Sequence, residues 1–265
     1  MAAINAQSVG QLFRLDGKVA LVPGGYGGIG EAVCRGLAAA GAKVAVAGRN
    51  SERTHALVDS LTQAGHDAYG SPFDALSVPD IRRMVDDVAT HFGRLDILVN
   101  CVGLNREEKL LDVTEENFDT VYSANLKSAL FLSQRAANHM IQQGGGGKHV
   151  HLGSVRTLLG LRGRGYTAYT AAKGGLGTMC KQLAAELAPH KINVNVVAPT
   201  FVRTEMVAKM LSDAQFYEAL TARIPLGRVA EPEEVMQVVL FFVSPASDFV
   251  TGQILYLDGG ITATQ

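Results

Sequence analysis

The chain has 265 residues, 47% of them hydrophobic and 18% charged, proportions that suit a packed globular protein and exclude a disordered or fibrous one. Lys and Arg number 24 against 25 Asp and Glu, so no global charge draws the protein to nucleic acid or to an acidic membrane surface. Three scattered cysteines, Cys34, Cys101 and Cys180, match neither a disulfide framework nor a paired-thiolate metal site, and point to thiols in a reducing compartment. The opening stretch lacks the basic start and apolar run of an export signal, and no later run is long enough to span a bilayer. The expectation is a cytoplasmic protein with no membrane partner.

Short β-rich runs at 18–22, 43–47, 96–99, 148–152, 192–197 and 254–257 alternate with longer helical patterns. Several are apolar throughout, as strands covered by helices on both faces should be, and the helical stretches are long enough for parallel crossovers. This predicts an α/β fold, a doubly wound parallel β-sheet in a single domain over residues 1–265. The glycine run at 144–147 sits between a helix and a strand and serves to reverse the chain.

The first strand runs into Pro23-Gly24-Gly25-Tyr26-Gly27-Gly28-Ile29-Gly30, followed by the helix-compatible stretch 31–40. Glycine allows positive φ and close backbone approach, and the free N–H groups of the following helix favour a dinucleotide pyrophosphate. Gly24, Gly28 and Gly30 are the principal candidates, with a tight turn lacking any ligand as the alternative. The second strand ends at Gly48-Arg49, where an adenosine ribose should lie. Gly48 leaves space and Arg49 can pair with a 2′-phosphate, which favours NADP(H) while NAD(H) stays open. The plainer reading of Arg49 is a solvated cation.

Tyr169-Thr170-Ala171-Ala172-Lys173 lies in a helical pattern that puts Tyr169 and Lys173 on one face, and Ser154 follows the strand at 148–152. A tyrosine of ordinary pKa, about 10, is a poor base near neutrality, so a nearby Lys173 ammonium is useful because it favours phenolate. Lowering that pKa by roughly 3 units takes about 4 kcal/mol, which calls for several charges in a partly dry cleft. His151 reads as structural.

Together, Gly24-x-x-x-Gly28-Ile29-Gly30, Asn100-Cys101-Val102-Gly103, Asn125, Ser154 and Tyr169-x-x-x-Lys173 resemble the short-chain dehydrogenase/reductase family, in an order covering nearly the whole chain. Asp74, Asn193-Val194-Asn195, Val202-x-Thr204 and Asp258-Gly259-Gly260 extend the resemblance. It implies a Rossmann fold in which Ser154 orients the substrate oxygen and Tyr169 transfers the proton. Lys173 holds the nicotinamide ribose and lowers the tyrosine pKa, and Asn125 supports a water-linked relay. Asp74 would contact adenine, Ile29, Asn100 and Gly103 would line the cofactor path, and Val202 and Thr204 would hold the nicotinamide. Each polar residue also has a structural reading: a cap or bend for Asn125, and helix caps for Asp74 and Thr204. Pro23 and Cys101-Val102 depart from the family pattern, and the stretch at 158–165 reads as a small insertion beside the substrate.

Arg156, two residues beyond Ser154, can clamp a carboxylate, which makes a sugar acid or keto acid the favoured small-molecule substrate. Arg162 and Arg164 either join it or decorate a loop, and Arg106 and Arg203 are further possible contacts. The resemblance implies a helical substrate flap over 203–224, with Met206, Met210 and Phe216 as apolar contacts, and a homotetramer or homodimer. The expected activity is interconversion of a secondary alcohol and a ketone. A 3-oxoacyl reductase acting on carrier-bound substrates and a non-catalytic dinucleotide-binding regulator are the alternatives. No ligand spacing suggests a metal.

Overall fold

The apolar runs form strands that all pair in parallel. The structure is a computed structural model that describes residues 5–264 apart from a few side chains; Met206, placed in the flap above, has its side chain outside the described residues. In chain order the elements are α1 (Ala6–Gln11), β1 (Val19–Pro23), α2 (Gly28–Ala39), β2 (Lys43–Gly48), α3 (Ser51–Gln63), β3 (Ala68–Pro72), α4 (Val78–Phe92), β4 (Ile97–Asn100) and α5 (Glu115–Tyr122). They continue with α6 (Ser128–Gln143), β5 (Gly147–Leu152), α7 (Thr167–Leu187), β6 (Ile192–Pro199), α8 (Glu205–Leu211), α9 (Ala214–Thr221), α10 (Pro232–Val243) and β7 (Ile254–Leu257).

The strands form one sheet in the order β3-β2-β1-β4-β5-β6-β7. Strand side chains alternate between the two faces, and each face has its own apolar layer. On one, Val33 and Leu37 of α2, Leu57 and Leu61 of α3 and Val235, Val239 and Phe242 of α10 pack against Val44, Val46 and Val99. On the other, Ile81, Met84 and Val88 of α4, Leu132 and Met140 of α6 and Leu176 of α7 pack against Leu21, Leu98 and Val196. This is the doubly wound α/β sheet that unbroken apolar strands require. After β3 the chain returns to the opposite side of β1, so the carboxyl ends of β1 and β4 diverge and open a crevice between their loops. The 203–224 stretch folds as α8 and α9, whose Leu211 and Leu220 bury with Ile224 and Val229 in a small separate cluster.

Candidate active site

At the end of β1 the backbone turns at Gly24 with φ +78°, a conformation that favours glycine. A Cβ there would stand 2.8 Å from the Cys101 carbonyl carbon, because the loop after β4 rests directly on the turn and Cys101 N donates to Pro23 O at 2.8 Å. A Cβ at Gly28 would meet Thr204 Cγ2 at 2.7 Å, and one at Gly30 would run into the Gly24 carbonyl oxygen. Helix α2 begins without any side-chain cap, so its first N–H groups face the crevice. Gly24, Gly28, Ile29, Gly30, Gly103, Val202 and Thr204 all line one cavity of about 740 Å³. Thr204 occupies the N-cap position of α8 but makes no capping bond, which leaves its hydroxyl for the cavity.

The space expected beside Gly48 is occupied. The Tyr26 ring packs where a Cβ of Gly48 would be, and its hydroxyl accepts from Asn50 N at 3.2 Å. The Arg53 guanidinium lies 5.3 Å from the centre of that ring and donates to Glu205 Oε2 at 3.0 Å, joining α3 to α8. Tyr26 and Arg53 line the cavity, whereas Arg49 and Asp74 are exposed and do not. Asp74 Oδ1 accepts from Leu76 N at 2.9 Å, and Ser77, not Asp74, caps α4. Asn100 is buried behind the wall, its Oδ1 accepting from Val102 N at 3.0 Å and its Nδ2 3.3 Å from His151 Nδ1, so it fixes the shape of the loop. Nothing in the one-dimensional pattern marked Arg53, one helical turn beyond Arg49, as the cation that reaches the cavity.

Ser154, Tyr169 and Lys173 meet on the cavity wall. Lys173 is buried, donates to Leu152 O at 2.7 Å and lies 5.7 Å from the centre of the Tyr169 ring. Burial draws its ammonium down to about 8. Burial also pushes the Tyr169 phenol up to about 12, with the neighbouring Ser154 hydroxyl pulling weakly the other way. The direction differs from the expected lowering because the cost of a charged phenolate in a dry wall exceeds what the protein's own groups return. Asn125 sits in a π-helical segment, Ser123–Lys127, between α5 and α6. Its Nδ2 donates to Leu104 O at 2.7 Å and to Val121 O at 2.8 Å, while its buried Oδ1 has no partner among the described residues. A Cβ at Gly103 would lie 3.1 Å from that oxygen and 3.5 Å from Lys173 Nζ, so both polar groups face the same small gap.

The arginines separate clearly. Arg164 pairs with Glu107, Arg203 with Glu231 at 3.0 Å, and Arg106 donates to Asn117 at 2.9 Å. Arg162 is exposed and does not line the cavity. Arg156, in the 3₁₀ turn Val155–Thr157, is only 6% exposed, yet its hydrogen bonds go to the carbonyls of Leu159, at 3.1 Å, and Gly160. Among the described residues no carboxylate meets it, and neither Nε nor Nη2 has a partner. Burial holds its pKa below the usual guanidinium value, and the charge of Arg223 adds to the effect.

A glycine turn at the switch point of a doubly wound sheet, sharing its cavity with a half-buried tyrosine and a buried lysine, is the layout of a Rossmann-fold oxidoreductase. Residues 25–262 match the family model described as enoyl-(acyl carrier protein) reductase. The chain is 40% identical over 252 residues to a tropinone reductase homologue of Arabidopsis thaliana, covering 94% of each. It is 36% identical over 248 residues to the 2-dehydro-3-deoxy-D-gluconate 5-dehydrogenase of Escherichia coli K12, covering 94% of this chain and 96% of that one. The gluconate 5-dehydrogenase of Burkholderia cenocepacia J2315, solved with NADP and tartrate, superposes with a TM-score of 0.92 at 33% identity, over 97% of this chain and 100% of that one. The chain belongs to the short-chain dehydrogenase/reductase family. No helix among the described residues is long and apolar enough to cross a membrane, and no cluster of His, Cys, Asp and Glu among them could hold a metal.

Proposed function

We propose that the protein is an NADP(H)-dependent oxidoreductase that interconverts a secondary alcohol and a ketone on a hydroxylated carboxylic acid, such as a sugar acid. The observation that carries the substrate class is Arg156, a nearly buried guanidinium in the reactive cavity with no carboxylate of its own. A buried cation without an anion is costly, and a substrate carboxylate offsets that cost. The gluconate dehydrogenase relatives act on acids of this kind. A carrier-bound 3-oxoacyl substrate would call for free cations at the cavity mouth, and Arg164 is instead paired with Glu107.

The turn at Gly24, Gly28 and Gly30, packed too closely on Cys101, Thr204 and its own backbone to admit a Cβ, borders the cavity at the uncapped start of α2 and fits a dinucleotide pyrophosphate. Arg53 and Arg49 are the cations for a 2′-phosphate, Asp74 the polar group for adenine, and Asn100, Gly103, Val202 and Thr204 support the nicotinamide end. The bound cofactor supplies or accepts the hydride. Ser154 orients the substrate oxygen, Tyr169 exchanges a proton with it, and Lys173 favours the phenolate and holds the ribose. Asn125 Oδ1 holds a water that passes the proton onward from Lys173. Residues 203–224 act as a flap on a single domain, with Met210 in the cavity wall.

The test is turnover of D-gluconate against sorbitol, with NADP+ as oxidant. Arg156→Leu is expected to lower kcat/KM for the acid by about 10- to 150-fold, the worth of a charge-assisted hydrogen bond, and to change the neutral polyol only slightly. Equal losses on both compounds reject the clamp. Free thiols and a nicotinamide cofactor support a cytoplasmic location. Half-exposed Phe118 and Tyr122 on α5, with Leu255 on β7 and the fully exposed Phe249 before it, support a homotetramer, so light scattering should give four chain masses. A dimer or monomer would overturn that assembly.

A further inference from the structure

A second phenol faces the cavity one helical turn before Tyr169. Tyr166 opens α7, and its ring centre lies 6.0 Å from that of Tyr169 at an interplanar angle of 72°. On its other flank the Arg164 guanidinium stands 5.4 Å from the ring centre. Arg164 is fixed in turn by Glu107, through Nε to Oε1 at 2.6 Å and through Nη2 to Oε2. The same carboxylate accepts from Gly165 N at 3.2 Å, and Glu108 N donates to Gly165 O at 3.1 Å. A Cβ at Gly165 would run into the Glu108 backbone, so glycine is what lets the two loops close on each other. The loop at 107–109 therefore straps the insertion down and clamps the Tyr166 ring.

All this order leaves the Tyr166 hydroxyl without a protein partner among the described residues, although the residue lines the cavity. A ring needed only for packing would be served by phenylalanine. The hydroxyl shares its cavity with the unpaired face of Arg156. We infer that Tyr166 is a specificity-determining residue, whose hydroxyl hydrogen-bonds a substrate hydroxyl while Arg156 holds the carboxylate of the same molecule. The inference rests on the sugar-acid reading above and adds to it a requirement for hydroxyl groups next to the carboxylate. A site built to pair a hydroxyl discriminates against a substrate that lacks it, because the protein group is then left unpaired.

Tyr166→Phe keeps the ring, its packing on Tyr169 and its contact with Arg164, and removes only the hydroxyl. Kinetics with NADP+ on two pairs, D-gluconate with 3-hydroxybutyrate and sorbitol with 2-hexanol, separate the possibilities. Expected is a fall of about tenfold or more in kcat/KM for the hydroxyl-rich member of each pair that is turned over, chiefly through KM, with the hydroxyl-poor member within about twofold. Glu107→Gln, which loosens the strap, is expected to shift the same ratio in the same direction. An unchanged ratio in Tyr166→Phe overturns the inference, as does a wild type that accepts neither hydroxyl-rich compound. A wild type that does not prefer gluconate to sorbitol refutes the sugar-acid reading instead, and the sorbitol pair still judges Tyr166.

Discussion

Tyr169→Phe is expected to lower kcat by about 10²- to 10⁴-fold, the usual worth of a positioned general acid or base, while NADP(H) affinity stays close to that of the wild type. Phenylalanine retains the ring beneath Lys173 and beside Tyr166, so the wall keeps its shape and loses one proton. Fluorescence titration with NADPH checks binding, and absorbance at steady state checks turnover. With burial pushing the phenol up to about 12, Tyr169 is protonated near neutrality and ready to donate to a forming alkoxide in ketone reduction. Alcohol oxidation requires the opposite state. Wild-type oxidation should therefore rise with pH from 7 to 10, whereas reduction should be flat over the lower part of that range. A Tyr169→Phe enzyme with near-normal kcat, or with the same rising profile, would show that the proton is carried elsewhere.

The second large effect concerns two histidines inside the sheet. His149 and His151 lie on β5 among the side chains of the α4, α6 and α7 face, both fully buried, with ring centres 6.5 Å apart. His151 is held by Ser133 Oγ at 2.9 Å and Asn100 Nδ2 at 3.3 Å, and neither ring nitrogen of His149 has a partner among the described residues. Burial draws both down to about 3; for His151 the charges of His149 and Lys173 add to it. Between about pH 6.5 and 3 the unfolded chain binds protons that the folded chain refuses, so their contribution is intact above 6.5 and is lost as pH falls through that window. Each unit of separation is worth about 1.4 kcal/mol, so the folded state weakens progressively across that window. His149→Leu removes one titration and two unsatisfied nitrogens. It should raise stability at pH 7.5 by about 1–3 kcal/mol and flatten the fall in Tm between pH 7.5 and 4. An unchanged slope of Tm against pH would locate the acid sensitivity at other groups.

Strands β1, β2 and β4 were legible because burial on both faces leaves no room for polar alternation. Strands β5 and β6 carry polar side chains and the outer β7 is only partly buried, so those three are legible from short apolar runs between helical patterns. Strand β3 was not legible: Ala68–Pro72 reads AYGSP, only Ser71 is buried, and at the sheet edge the strand is specified by pairing with β2 rather than by its own apolar content. Tyr169 and Lys173 could be placed together because four residues on a helix bring side chains onto one face, a local rule. The arginines obey no such rule. Whether Arg156 or Arg164 stays free depends on Glu107, a long-range partner that periodicity does not reveal. The same holds for Gly48, whose apparent room for a phosphate is filled by a tyrosine from the preceding loop. The widened turn that carries Asn125 also escapes a helical reading, since the segment continues the pattern of α5 and α6 on both sides.

The seat of Gly24 on the Cys101 backbone has a consequence for biogenesis. The glycine motif leaves the ribosome with β1, but the surface that completes its cradle is made only when β4 inserts beside β1, after two further strands and three helices have been synthesised. Until then the emerging chain carries the motif without the site. A truncated product ending before β4 should therefore keep the sequence signature of nucleotide binding and lack the affinity, and the nucleotide can favour the nascent fold only after the central pair of strands has formed.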